Sequence, residues 1–189
     1  YTTMSVLAEA FLHQLDPVAI PVTETFGIRW YGLSYAAGFF LAWAIVVWMG
    51  KRGMTLVKPA IAGDLMMYII VGVIVGGRLG YAVFYEQTLL ITVGSSFPYW
   101  ELLAINHGGM ASHGGMVGVV VALILFGRRH NVPFLHLLDM SAIMAPSGLF
   151  LGRLANFVNG ELWGRPLLDQ STRPSWGIQY PQEVYPGQG

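Results

Sequence analysis

Four stretches of the chain, roughly Trp30 to Met49, Asp64 to Phe84, Gly114 to Gly127 with its flanks, and Leu138 to Val158, are apolar over nearly the length a bilayer demands. A helix crossing ~30 Å of hydrocarbon needs about 20 mostly apolar residues, and a continuous run of that kind satisfies its peptide groups in lipid only as a helix. The pattern predicts an all-α fold, a polytopic transmembrane helix bundle with about four spans. Composition agrees: 54% of the residues are apolar and 11% charged, and the mean hydropathy is +0.56. The third stretch is short and opens on glycines, so it either tilts or begins in a polar cavity. The expected organisation is one transmembrane domain over 1–189. It comprises an interfacial segment 1–29, broken by Pro17 and Pro21, a four-helix membrane core 30–158, and a polar segment 159–189 that continues in a longer protein. The first twenty residues lack a basic stretch followed by an apolar core, so they do not read as a signal peptide.

Basic residues set the expected orientation. Lys51, Arg52 and Lys58 lie between the first two spans and Arg128 and Arg129 follow the third, whereas the loop from Gln87 to Asn106 has neither Lys nor Arg. The basic loops are expected on the cytoplasmic side. Both ends of the chain and the 85–113 loop then share the outer side, with Arg29, Arg165 and Arg173 as exceptions. Trp30, Tyr31, Tyr81, Tyr85, Tyr99, Trp100 and Trp163 form the expected outer aromatic belt. Small residues at four-residue spacing, Gly72, Gly76 and Gly80, then Gly114 and Gly118, then Gly148 and Gly152, suit close helix packing. The formal net charge is zero, so no global field points to nucleic acid. There is no cysteine, which excludes a disulfide framework and a cysteine nucleophile on this chain.

Arg78 and Arg153 stand inside apolar spans, where an arginine costs ~2.5 to 3.5 kcal/mol at the helix centre even on the lenient insertion scale. Something must compensate each one. Snorkelling, or structural bridges to Glu86 and Glu161, would do so. So would an anionic ligand, because the guanidinium presents a permanently charged fork that matches phosphate oxygens. Two such groups near one leaflet suit a phospholipid headgroup. Glu86 and Glu161 follow their arginines at the same offset, but two short matches do not establish a repeat. Asn156 is three residues after Arg153 on the same helix face, and Gly160 and Gly164 allow the chain to turn out at the lipid boundary. Asn159 is expected to cap the helix end.

The second polar cluster runs His107-Gly108-Gly109-Met110-Ala111-Ser112-His113-Gly114-Gly115-Met116, at the outer mouth of the third span. A histidine with an unperturbed pKa near ~6.5 can act as a neutral base, and flanking glycines let a substrate approach it. His130 and His136 are expected to be solvated and idle. No further carboxylate or histidine stands at ligand spacing from His107 and His113, so no metal site is expected.

Taken together, Trp30-Tyr31-Gly32-Leu33, Gly77-Arg78-Leu79-Gly80-Tyr81, Gly108-Gly109-Met110 with His113-Gly114-Gly115, and Gly152-Arg153-Leu154 with Asn156 to Arg165 resemble the prolipoprotein diacylglyceryl transferases, in order and over nearly the whole chain. In that family the residues matched by Tyr31, His113, Arg153, Asn156, Glu161 and Gly164 belong to the functional core. The resemblance implies transfer of the diacylglyceryl group of phosphatidylglycerol to the lipobox cysteine in a prolipoprotein signal peptide, at the bacterial inner membrane, with no cofactor. On this reading the catalytic residues are His113, Arg153, Tyr31, Asn156 and Glu161, and phosphatidylglycerol is bound by Arg78, Arg153, Asn156 and Gly164. The outer side is then the periplasm. Two departures stand out. Ser112 occupies a position usually bulky in the family, and family chains continue through three more helices bearing a further functional arginine and glutamate. Two rival classes stay open: an inactive relative acting as a structural subunit, and an anion or lipid transport subunit built on glycine-interrupted spans. A protease built on Ser147 is disfavoured, because Pro146-Ser147-Gly148 is better explained as a kink and packing point.

Overall fold

The computed structural model describes residues 11–21, 27–93, 98–104, 108–162, 164–165 and 177–180. Four long helices dominate: α1 (Trp30–Lys51), α2 (Ala62–Phe84), α3 (Ser112–His130) and α4 (Phe134–Val158). The fold is that of an all-α membrane protein. α1, α4, and α2 with its leading 3-10 turn Pro59–Ile61, are long and apolar enough to cross a membrane. α3 differs from expectation in an informative way. Its 19 residues span about 28 Å, close to a bilayer core. Yet Ser112 and His113 at its head and Arg128, Arg129 and His130 in its last turn lower its apolarity, and it is not among the three. Large apolar side chains point outward along the helices, including Phe40, Val71, Val117 and Leu149. That is costly in water and expected against lipid.

The chain forms two compact units, Phe39–Pro146 and the pair of segments Tyr1–Gly38 and Ser147–Gly189. The 39–146 unit owes its interior to two kinds of packing. Near the ends of α1 and α3, a buried cluster joins Val46 and Met49 to Leu65 and Met66 of α2, Leu123 and Phe126 of α3, and Leu137 and Met140 of α4. Along the rest of α2 and α3 the glycines predicted to pack do so. A Cβ on Gly72 would lie 2.6 Å from the Gly118 carbonyl oxygen, and one on Gly80 2.7 Å from Gly114 Cα. At these positions a side chain larger than hydrogen would clash with the facing helix.

At the basic end of this unit the α1–α2 and α3–α4 connections are tied together. His136 Nε2 accepts from the Leu56 N–H at 3.1 Å and lies 2.8 Å from Thr55 Oγ1. His130 Nε2 lies 3.5 Å from Asp64 Oδ2, with its ring against Phe126. Neither histidine is idle, contrary to expectation. Each sits at a helix end where an imidazole can bridge groups from another segment, a role fixed by tertiary neighbours and invisible in local sequence.

The other unit contains two small sheets that an all-α reading does not anticipate. β2 (Val18–Pro21) pairs antiparallel with β3 (Gly27–Arg29), and β1 (Phe11–Leu12) pairs parallel with β4 (Ile178–Gln179). Next to the β2–β3 pairing, Pro17 O accepts from the Trp30 N–H at 3.1 Å, at the start of α1. His13, fully buried, donates from Nε2 to the Phe157 carbonyl at 2.6 Å, and its ring packs against Tyr180 at 4.8 Å. Burial pushes the Tyr180 phenol up from its ordinary pKa. Gly38 of α1 faces Gly148 of α4, where an added Cβ would stand 3.4 Å from Gly148 Cα. The helix α4 runs through Pro146.

Candidate functional site

The sequence-selected residues fall into two groups, one in each unit. Arg78 and His113 belong to the 39–146 unit; Tyr31, Arg153, Asn156, Glu161 and Gly164 belong to the other.

Arg78, on α2, is 5% exposed. Its guanidinium is satisfied by main-chain carbonyls. Nε donates to Leu102 O at 2.8 Å. Nη1 donates to Gly108 O at 2.5 Å and to Gly109 O at 3.1 Å. Nη2 donates to Glu101 O at 2.6 Å and to Ala104 O at 3.2 Å. A guanidinium has five N–H donors, and here all are committed. No fork is left over for a phosphate. Glu86, the alternative partner weighed above, instead accepts from the Thr88 hydroxyl. The buried charge is thus compensated by carbonyl dipoles.

His113 is the second residue of α3 and is exposed. It stands at one end of an apolar groove of about 870 Å³ between α2 and α3, whose walls include Val71, Leu79 and Val83 on one side and Val117 and Val121 on the other. The groove exists because glycines line the seam and leave room above it. His107 lies outside the described residues.

In the other unit the end of α4 places the remaining residues. The Gly160 N–H donates to Phe157 O at 3.1 Å and the Glu161 N–H to Asn156 O at 2.8 Å, with Gly160 at φ 67°. These two bonds and the left-handed glycine make a Schellman stop, which satisfies the last carbonyls and turns the chain out of the helix. The expected capping by Asn159 is not what closes the helix: its Nδ2 donates to Glu161 Oε1 at 3.3 Å, and the last carbonyls are satisfied by the main-chain N–H groups of Gly160 and Glu161. Asn156 is half-buried and Arg153 exposed. Among the described residues, no hydrogen bond or ion pair engages the Arg153 guanidinium. Tyr31 accepts a hydrogen bond from the Tyr35 hydroxyl at 3.2 Å, with the two rings edge to face at 4.9 Å. The Glu161 carboxylate lies within electrostatic range of Tyr35. Gly164 has φ 93° and open space where a Cβ would be, so it is required for conformation rather than clearance. Trp163 and Arg173 lie outside the described residues. Tyr35 and the carbonyls around Arg78 are neighbours of the selected residues that sequence reasoning missed. The four-residue spacing of Tyr31 and Tyr35 was a legible signal, whereas the carbonyls carried none.

These features define a polytopic helical membrane protein with an arginine saturated by main-chain carbonyls, a histidine at the mouth of an apolar groove, and a second arginine that no hydrogen bond or ion pair engages among the described residues. Residues 17–186 match the family described as prolipoprotein diacylglyceryl transferase. The chain is 46% identical to the phosphatidylglycerol–prolipoprotein diacylglyceryl transferase of Bdellovibrio bacteriovorus over 179 residues, covering 94% of this chain and 50% of that protein. It is 42% identical to the enzyme of the same name from Zymomonas mobilis over 176 residues, 89% of this chain and 58% of that one. The corresponding protein of Methylobacillus flagellatus is 46% identical over 159 residues, 80% of this chain and 58% of that one. The chain therefore belongs to the prolipoprotein diacylglyceryl transferase family. It spans about half the length of the curated relatives it matches.

Proposed function

We propose that the protein transfers the diacylglyceryl group of phosphatidylglycerol to the lipobox cysteine thiol of bacterial prolipoproteins at the inner membrane, with its basic loops in the cytoplasm. In this reaction the C–O bond between the glyceride carbon and the phosphate breaks and a C–S thioether forms. Glycerol phosphate leaves with the bonding electron pair. A thiol of pKa ~8.5 is mostly protonated near neutrality, so it needs a base, and the departing phosphate needs cationic stabilisation. His113 takes the thiol proton. Arg153 holds the phosphate, assisted by Asn156. Glu161 orients the arginine, Tyr31 donates to a substrate oxygen, and Gly164 shapes the turn beside them.

The observation that carries this reading is the contrast between the two intramembrane arginines. Arg78 has all its donors committed. Arg153 has none engaged among the described residues, beside Asn156 and close to the Schellman stop that delivers Glu161. A free guanidinium at the end of an apolar helix suits an anionic headgroup. The test is mass spectrometry of a lipobox peptide incubated with phosphatidylglycerol and the purified full-length protein. A diacylglyceryl thioether on the cysteine is expected; an unmodified peptide in conditions where a curated relative modifies it refutes the assignment.

A further inference from the structure

We propose that Arg78 is a positioning residue for His113: it fastens the loop that delivers His113 to the head of α3, and does not itself touch substrate. The inference rests on the proposed reaction for its kinetic arm alone. Its basis is the set of acceptors. Glu101, Leu102 and Ala104 belong to the 3-10 turn Glu101–Leu103 and its end, while Gly108 and Gly109 lead directly into α3. One guanidinium therefore grips both limbs of the loop. Gly108 and Gly109 have φ of 82° and 77°, a conformation glycine adopts without penalty, and their successive carbonyls accept from the same Nη1.

From there to the imidazole the chain has little freedom. The Ala111 N–H donates to Gly77 O at 2.9 Å, and Ala111 O in turn accepts from the Gly115 N–H at 2.9 Å. Gly77 and Arg78, neighbours on α2, thus hold the loop at consecutive points, and His113 follows two residues after the second. The glycine seam fixes α3 only from Gly114 onward; Ser112 and His113 are exposed. What sets the start of the helix is the loop. Arginine is required because five carbonyls need five donors, and lysine supplies three from one nitrogen.

The test uses the full-length protein in lipid nanodiscs with Arg78→Lys. Hydrogen exchange of the peptide covering 108–116 is expected to accelerate at least ~10-fold, since buried carbonyl bonds are lost. In the transfer reaction kcat is expected to fall about 10²-fold, the scale of a misplacement near 1 Å, with KM for phosphatidylglycerol unchanged. The double variant Arg78→Lys with His113→Gln is expected to be no slower than His113→Gln alone, because both remove the same function. Gly108→Ala supplies a second route if Arg78→Lys does not fold. It leaves Arg78 intact and its Cβ meets nothing within 4 Å, yet it opposes φ +82°, so the same changes are expected at smaller size. Gly53→Ala, likewise at positive φ with open space, is the control and leaves exchange at 108–116 unchanged. Unchanged exchange in both test variants, an equal effect of Gly53→Ala, a raised KM with kcat preserved, or additive defects in the double variant each overturn the proposal. If the wild-type protein transfers no diacylglyceryl group, the reaction reading fails and the exchange measurement alone decides whether Arg78 holds the loop.

Discussion

Replacing Gly72 with alanine tests the α2–α3 seam directly. The new Cβ would stand 2.6 Å from the Gly118 carbonyl oxygen, 2.8 Å from Ala122 Cβ and 3.0 Å from the Gly118 carbonyl carbon. Two of these three are main-chain atoms that cannot rotate aside. Restoring an ordinary contact requires the helices to separate by about 0.8 Å at that point, and a gap of this size forfeits a quarter to a half of the dispersion well of the other contacts along the seam. Overpacking of this kind costs ~1 to 3 kcal/mol. Against it runs the helix-propensity gain of glycine to alanine, about 0.8 to 1.0 kcal/mol. The net expectation is a loss of about 0 to 2 kcal/mol, against a gain of about 0.8 to 1.0 kcal/mol where the added methyl meets nothing. Gly152→Ala is the matched comparison, since nothing lies within 4 Å of its added Cβ; there the propensity gain stands unopposed and stability is kept or slightly raised. Reversible unfolding in mixed detergent micelles, followed by far-UV circular dichroism, reads both. Equal stabilities for Gly72→Ala and Gly152→Ala would refute the claim that α2 and α3 meet backbone to backbone.

Arg153→Lys keeps the charge and loses the bidentate fork, so turnover is expected to fall ~10² to 10³-fold in the lipobox-peptide assay; wild-type turnover would remove the phosphate role. His113→Gln removes the base, and its defect relative to wild type is expected to shrink as pH rises toward the thiol pKa of ~8.5 and the acceptor ionises unaided. A pH-independent defect would leave His113 as a residue that only orients substrate. Met54→Cys places a single thiol in a chain that has none, at a side chain 54% exposed. It is expected to react with a membrane-impermeant maleimide only from the cytoplasmic side, and labelling from the periplasm would reverse the topology.

The helices were legible because lipid leaves a chain little choice. An apolar run long enough to cross has to be helical, and the small-residue spacing on the second and third runs named the faces that meet. Gly152 shows the limit of that signal. It carries the same spacing as Gly148, which Gly38 faces, yet a Cβ on Gly152 would meet nothing within 4 Å. The periodicity says that close approach is permitted, and only a partner helix decides whether it is used. The short sheets around Phe11–Arg29 escaped for another reason. Strands of two to four residues carry too few alternations to register as a period, and their pairing depends on residues far away, as between Phe11 and Ile178.

The two arginines show where sequence reasoning about a site runs out. Both present the same demand: a permanent charge in an apolar helix must be compensated. Sequence exposes the side chains that could answer it, which is why glutamates and a phosphate were the candidates. It cannot expose carbonyl oxygens, since every residue carries one and nothing in its identity says where it points. Arg78 is answered by carbonyls, and the only local trace was the Gly108-Gly109 pair, whose conformational freedom lets two successive oxygens reach one nitrogen. Arg153, three residues before Asn156 and a turn before a Schellman stop, is answered by no described side chain. The same physical argument that predicted a ligand for both arginines therefore retains its force for Arg153, and for Arg78 it is discharged within the protein.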